Sequence, residues 1–405
     1  MIEKGAFSYL LRKDLVGMEK SNRDAVIVAA VRTPIGRRGK TLSQTRPDDL
    51  AAEVLNEVIR RSGIDPGEVE DIIMGCGTPT GEQGVNIGRL STLIADFPVE
   101  VPAVTINRMC ASSDQATHFA TQAIQAGDLD VVIAAGIESM SRVPMGADSA
   151  AKFSRRLAKK YWVIPQGESA ELIAEKWQIS REELDAYSLE SHRRAVQAQD
   201  QGRFDREIMP LEIDSPEGTP VLFAKDEGPR RNTSMDQLAA LVPAFKEGGK
   251  ITAGNSSQMS DGAAAILFMT RERAKRIGLK PRARIIGRVS VGSDPTLQLS
   301  GPISATKKVL QKTGLTLKDL DVIEVNEAFA SVVLAWAREF KPDMAKVNPN
   351  GGAIALGHPL GATGARIMTT LLNELERRDG RYGLQTMCIG HGLANATIIE
   401  REDGL

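Results

Sequence analysis

A chain of 405 residues with a formal charge of −1 can bury a large core in two or three domains and carries no electrostatic footprint for nucleic acid. Its three cysteines are too few for a disulfide framework, and no apolar run approaches the roughly 18 residues of a membrane span. A reducing, cytoplasmic location is therefore expected. Residues 1–22 read as an N-terminal extension of mixed charge, without the uncharged apolar core of a secretory signal. Met18 is a candidate second start, which makes residues 1–17 a dispensable segment.

From Ala25 onward the pattern alternates between strand and helix. Ala25-Val-Ile-Val-Ala-Ala-Val predicts a buried strand, and residues 47–62 a helix with proline at its start. Val69-Glu-Asp-Ile-Ile-Met-Gly predicts a second strand. Ala103-Val-Thr-Ile-Asn predicts a third, leading through Cys110 into a helix that runs to about Ala126. Val131-Val-Ile-Ala-Ala-Gly predicts another buried strand. This alternation implies an α/β fold with a covered sheet.

Residues 137–250 differ in kind. Residues 168–201 are helical and charged, with a capped start at Ile179-Ser-Arg-Glu-Glu, and residues 210–250 are rich in turn formers. They predict an inserted loop or lid domain, after which residues 251–275 return to the first half. Residues 276–405 then repeat the plan of residues 23–136. Leu320-Asp-Val-Ile-Glu-Val-Asn matches Val69-Glu-Asp-Ile-Ile-Met-Gly in pattern and place. A glycine-rich segment opens a helix where the Cys110 segment does. Two related halves, paired about a pseudo-twofold axis, would bring their loops into one site; chance similarity of βα units is the alternative.

Reactive residues stand on shaped backbone. Asn348 to Arg366 places five glycines and two prolines around His358, a density that suits tight turns or close approach to a ligand. Cys388-Ile-Gly-His-Gly frames a second group and Asn107-Arg-Met-Cys-Ala-Ser-Ser-Asp a third. Cys110 at a helix start is expected to favour the thiolate; a merely buried, inert thiol is the competing reading, and it suits Cys76. His358 can take a proton or support an oxyanion. His118 and His192 read as structural or exposed. Cys388-x-x-His391 lacks further ligands in paired spacing, so no metal site is expected. Asn326-Glu-Ala-Phe329 ends a strand where α/β sheets place functional groups.

Together these segments resemble the thiolase family, from about Ala25 to Glu400. The landmarks run in order: Val31-Arg-Thr-Pro-Ile-Gly, Asn107-Arg-Met-Cys-Ala-Ser-Ser, Gly136-Ile-Glu-Ser-Met-Ser, Thr252-Ala-Gly-Asn-Ser-Ser, Asp261-Gly-Ala-Ala, Asn326-Glu-Ala-Phe-Ala, the His358 stretch and Cys388-Ile-Gly. The resemblance implies a duplicated five-layer α-β-α-β-α fold with an inserted loop domain, a homodimer or homotetramer, and acyl transfer between a cysteine and coenzyme A. It implies that Cys110 is acylated, that His358 activates it, and that Cys388 shuttles the α-carbon proton. Asn326 would hold a water in an oxyanion site shared with His358, and the N–H groups of Cys110 and Gly390 would form a second oxyanion hole. Ser257 and Phe329 would lie near the pantetheine and Arg230 would contact coenzyme A. Coenzyme A is then a substrate, and no metal or redox cofactor is implied.

The implied reaction cleaves 3-ketoacyl-CoA with CoA, or condenses two acyl-CoA molecules, as an acetyl-CoA C-acyltransferase or C-acetyltransferase does. Three departures qualify it. Ser113 and Asp114 replace the usual glycine pattern after the nucleophile, and Asp114 is expected to raise the thiol pKa. His391 stands where glycine is usual, either as an acid/base or pocket-filling group or as a side chain pointing away. Residues 141–167 look shorter than in typical thiolases. A ketosynthase-type condensing enzyme and a non-catalytic acyl-CoA-binding subunit or scaffold are the rival readings; Cys388 and Asn326-Glu-Ala-Phe argue against the first, the retained Cys110, His358 and Cys388 against the second.

Overall fold

A computed structural model describes residues 20–148, 153–214 and 219–402; segment 1–17 lies outside them. The first half contains strands β1 (Ala25–Arg32), β2 (Asp71–Cys76), β3 (Ala103–Ile106), β4 (Val131–Ser139) and β5 (Ser260–Thr270). They lie side by side as β3-β2-β4-β5-β1, with β3-β2-β4 parallel and β5 antiparallel to both neighbours. The second half contains β6 (Ala283–Gly292), β7 (Val322–Val325), β8 (Tyr382–Ile389) and β9 (Leu393–Arg401). Val347 bridges in parallel to Ile323 of β7, and the order from there is β7-β8-β9-β6. Val347 thus takes the place that β3 has in the first half. Directions match as well: β7-β8 is parallel, β8-β9 and β9-β6 antiparallel. Order and direction agree at every position, which is the duplication the sequence pattern suggested. The halves join where β1 pairs with β6, through Val26↔Arg284 and Ile27↔Ala283.

Alternation along the strands decides the layering. Helix α1 (Pro47–Ser62) buries Leu50, Val54, Leu55 and Val58 against one face of the first sheet, beside Ile72, Met74 and Ile133. The opposite face, through Ile27, Ile73 and Val132, packs on a middle layer made by α2 (Ser112–Ala126) and, from the second half, α7 (Thr363–Arg378). The second sheet turns Val322 and Ile399 to that middle layer. Its other face carries Ile323, Val325 and Leu384 and is covered by α5 (Gly301–Thr313) and α6 (Ala330–Phe340) through Val309, Val333 and Trp336. Five layers result.

The loop region supplies α3 (Gln166–Lys176) and α4 (Arg181–Asp200), the latter opened by a capping box between Ser180 and Glu183. Strand β4 continues to Ser139, so the expected boundary at 137 moves past the strand end.

The middle layer is close-packed at one glycine. A β-carbon at Gly364 would lie 2.2 Å from the Asp114 amide nitrogen and 2.6 Å from the Asp114 β-carbon. Ala116, Ala120 and Ala365 keep the rest of that contact small. Gly364→Ala, although it favours helix locally, is expected to lose about 1–3 kcal/mol from overpacking, seen as a lower denaturant midpoint at unchanged slope.

Candidate active site

Cys110 sits on a short turn, Met109–Ala111, between β3 and α2. The Gly390 N–H, the Gln166 side chain and its own N–H face its Sγ and favour negative charge there. Burial raises the thiol and the Glu138 carboxylate adds to the rise, while the three donors oppose it, leaving it at about 11. The expected thiolate at a helix start is therefore corrected. Desolvation is the largest influence on it, since the charged form loses its water. Cys388, on β8, is fully buried and its thiol is also raised, by burial first and by the neighbouring Cys110 second. Cys76 is buried with a raised thiol and makes no contact that marks it as reactive.

His358 is gripped at both ring nitrogens. Nδ1 lies 2.6 Å from Thr363 Oγ1, and that hydroxyl donates to the Pro359 carbonyl at 2.7 Å. Having given its only proton away, Thr363 must accept from Nδ1–H, which leaves Nε2 as the unprotonated nitrogen. Asn326 Nδ2 approaches Nε2 at 3.3 Å. Burial, then the Arg366 charge, lowers the His358 pKa to about 3. The ring is thus a neutral imidazole aimed by its partners.

The loop that carries it is fastened by Glu138 of the first half. This buried carboxylate accepts the N–H groups of Gly77 (2.7 Å), Thr78 (3.1 Å) and Gly361 (2.7 Å) and the Gln83 amide (2.9 Å). Gly357, at φ +105, and Gly361, where a β-carbon would lie 2.4 Å from the Ile137 carbonyl, let the loop descend between the strand ends. From the other half, Glu327 accepts from Tyr187, Ser191, Asn348 and the Ile354 N–H.

His358 opens onto a cleft of about 560 Å³ whose lining includes Arg230, Ser257 and Phe329. Ser257 N–H donates to the Ala328 carbonyl at 2.9 Å, and Ser256 bridges to Phe329. Arg230 also borders an adjoining chamber of about 550 Å³. Of the eight residues singled out from sequence, His358, Arg230, Ser257 and Phe329 line the cleft; Asn326 reaches His358, Cys110 packs on Met140 and Leu360 of the lining, and Gly390 and Cys388 neighbour Cys110. The arrangement offers a sulfur faced by donors, a neutral base and a second thiol. Among the described residues no group of three or more His, Cys, Asp or Glu has metal-holding geometry.

Models of the thiolase N-terminal and C-terminal domains match residues 25–272 and 279–401. The chain belongs to the thiolase family. It is 49% identical over 390 residues to a steroid 3-ketoacyl-CoA thiolase, FadA6, of Mycobacterium tuberculosis, covering 93% of this chain and 94% of the relative. It is 44% identical to a beta-ketoadipyl-CoA thiolase of Acinetobacter baylyi, covering 94% and 100%. The crystal structure of the Bacillus anthracis acetyl-CoA acetyltransferase superposes with a TM-score of 0.86 at 39% identity, covering 94% and 99%.

Within this thiolase two of the three sequence departures, at Ser113–Asp114 and at His391, have structural explanations. Ser113 Oγ accepts the Ala365 N–H at 2.9 Å and Ser113 N–H donates to the Gly361 carbonyl at 3.1 Å, so it caps α7 and ties it to α2. Asp114 does not raise the Cys110 thiol. It is buried, itself raised to about 7 by burial, and accepts from Thr397 Oγ1 at 3.0 Å. His391 has φ 61, a left-handed conformation that explains the family's glycine there; its exposed ring packs edge-on against Phe153 and does not line the cleft. His118 and His192 are both buried within helices. Sequence reasoning missed Gln166, Thr363 and the fastening role of Glu138. Thr363 lay in the same glycine-rich stretch, whereas nothing near Gln166 in the chain signals a contact with Cys110.

The raised thiol makes a checkable statement. Without substrate, alkylation of Cys110 by iodoacetamide, followed by peptide mass spectrometry, is expected to climb through pH 9 to 10, where an ordinary cysteine of pKa about 8.5 has levelled off.

Proposed function

We propose that this chain is a 3-ketoacyl-CoA thiolase working through an acyl-Cys110 intermediate, and that its preferred acyl groups are apolar and longer than acetoacetyl. The observation that carries the first part is the doubly gripped, neutral His358 on the cleft whose Met140 and Leu360 also pack on Cys110. His358 Nε2 takes the Cys110 proton as the sulfur attacks the 3-keto carbon. The C2–C3 bond then breaks, its electron pair passing to the acetyl-CoA α-carbon, where Cys388 delivers a proton. Acetyl-CoA leaves, and the acyl group remains on Cys110.

In the second half Cys388, now a thiolate, takes the proton of the incoming CoA thiol. The CoA sulfur attacks the acyl carbon, Cys110 departs and regains its proton from His358. Negative charge on the acyl oxygen would sit between the N–H groups of Cys110 and Gly390. Charge on the thioester oxygen of acetyl-CoA would sit at His358 with a water held by Asn326, whose Oδ1 is buried without a protein partner. Preorganised donors of this kind are each worth roughly 3–4 kcal/mol. Burial, which raises both thiols, also strengthens those donors. Thioester exchange of this type draws on coenzyme A as a substrate and on no metal or redox cofactor. Arg230, beside the second chamber, is suited to the phosphates of coenzyme A.

The acyl preference rests on the cleft wall, where Met140, Met145, Met259, Leu360 and Phe245 present apolar, largely adaptable surface. Thiolysis of acetoacetyl-CoA should be compared with that of 3-ketodecanoyl-CoA, with intact mass recorded after mixing. An acyl adduct on Cys110 and a kcat/KM at least tenfold higher for the longer substrate are expected. Absence of adduct and turnover with both would remove the catalytic reading, and preference for acetoacetyl-CoA would remove the chain-length reading.

A homodimer is part of the same proposal. Strand β3 ends the sheet with Val104 exposed, next to exposed Val85, Val99, Leu93 and Ile94. An open edge beside such an apolar patch is a self-association surface. Sedimentation equilibrium is expected to give a mass of two chains or more at micromolar concentration, and a pure monomer would refute the assignment.

A further inference from the structure

Beneath His358 the core holds charged groups that the reaction above leaves unused. Arg366 is 2% exposed, and its Nε, Nη1 and Nη2 atoms have no hydrogen-bond partner in the protein. Glu324, equally buried, has an unpartnered Oε1. Arg32, the other fully buried arginine nearby, is different: it bonds Glu207 at 2.6 Å and Asp226 at 2.7 and 2.9 Å and is neutralised in place. A buried guanidinium without a hydrogen-bond partner is costly even with the Glu324, Asp226 and Glu207 carboxylates in electrostatic reach, so the position of Arg366 calls for a reason.

Its place in the fold supplies one. Helix α7 carries Thr363 and Arg366 three residues apart, hence on one side. Strand β7 runs into Asn326. Its alternation turns Val322 to the middle helix layer and Ile323 and Val325 away, so Glu324 and Asn326 share the face that looks at α7. The upper rung of this ladder is Asn326–His358–Thr363, observed at 3.3 and 2.6 Å. The lower rung is Glu324 facing Arg366, each within the electrostatic reach of the other.

We infer that Arg366 and Glu324 are a positioning pair: they set the helix–strand clamp that grips the His358 ring and place a cation behind it, so that Nε2 stays a free base. The inference rests on the thiolase reading for its purpose, not for its geometry. Arg366 is, after burial, the group that lowers the His358 pKa. The other charged or titratable groups around the ring are Cys110 and Cys388 below the cleft, Glu138 through Gly361, and Arg37, Arg38 and Arg230 in the cleft lining.

The test follows the His358 ring resonance by NMR against pH, in the full-length protein. Four histidines in the sequence keep assignment by His358→Asn tractable. In the wild type the ring is expected to remain neutral down to pH 5. In Arg366→Met its midpoint is expected to rise by about one unit or more, and the acid limb of kcat/KM to rise with it, while Arg366→Lys restores both. If Arg366→Met does not fold, Arg366→Gln/Glu324→Gln, an uncharged pair of similar volume, is expected to show the same rise. A His358 titration that superimposes on the wild type in a folded variant overturns the inference. A purely structural role would lower Tm and scale kcat evenly without moving the limb. Because the resonance is read without substrate, a wild type lacking turnover would sink the thiolase reading alone.

Discussion

The site exists because α2 and α7 can touch. One helix starts just after Cys110, the other just after the His358 loop, and they belong to different halves of the chain. Gly364 removes the β-carbon that would strike Asp114, and Ser113 bonds to both Gly361 and Ala365 across the same contact. With these two helix starts fixed, the sulfur and the imidazole are placed by rigid elements instead of by flexible loops. The pseudo-twofold plan then brings Asn326 to the ends of the parallel strands β7 and β8, with Gly390 one residue past β8. All the groups converge on one end of the sheets.

Burial gives these groups their chemical character. The same desolvation raises the Cys110 and Cys388 thiols and lowers His358, so the resting site holds neutral partners and not a thiolate–imidazolium pair. A proton must move when the bond forms, and the fixed N–H donors then meet the charge as it develops. A low-dielectric pocket strengthens those donors and penalises any charge they fail to meet. Glu138 and Glu327 serve this arrangement from the sides. Each buries a carboxylate under several donors and so locks loops from two regions of the chain.

Local unlikeness to the family pattern proved to be local packing. Ser113 replaces a glycine and becomes a cap. His391 keeps a left-handed backbone that a glycine would adopt more easily, and its ring turns outward to Phe153. Asp114 joins a polar seam with Thr397 and, at 3.9 Å, His118, which links the nucleophile helix to β9. None of the three reaches into the cleft lining.

What the sequence determined by itself was everything carried by short-range pattern. Apolar runs and their alternation marked the strands, a helix start marked Cys110, glycine density marked the turns that hold His358 and Gly390, and the repeated βα plan announced two halves. These follow from backbone sterics and from periodicity, which act within a few residues. Tertiary structure alone decided the rest. It decided that Gln166, 56 positions beyond Cys110 by their numbers, faces the Cys110 sulfur. It decided that the thiol is raised and not lowered, because desolvation depends on what covers a group. It also set Arg366 and Glu324 opposite each other behind the imidazole, an encounter between a helix and a strand that no local pattern encodes.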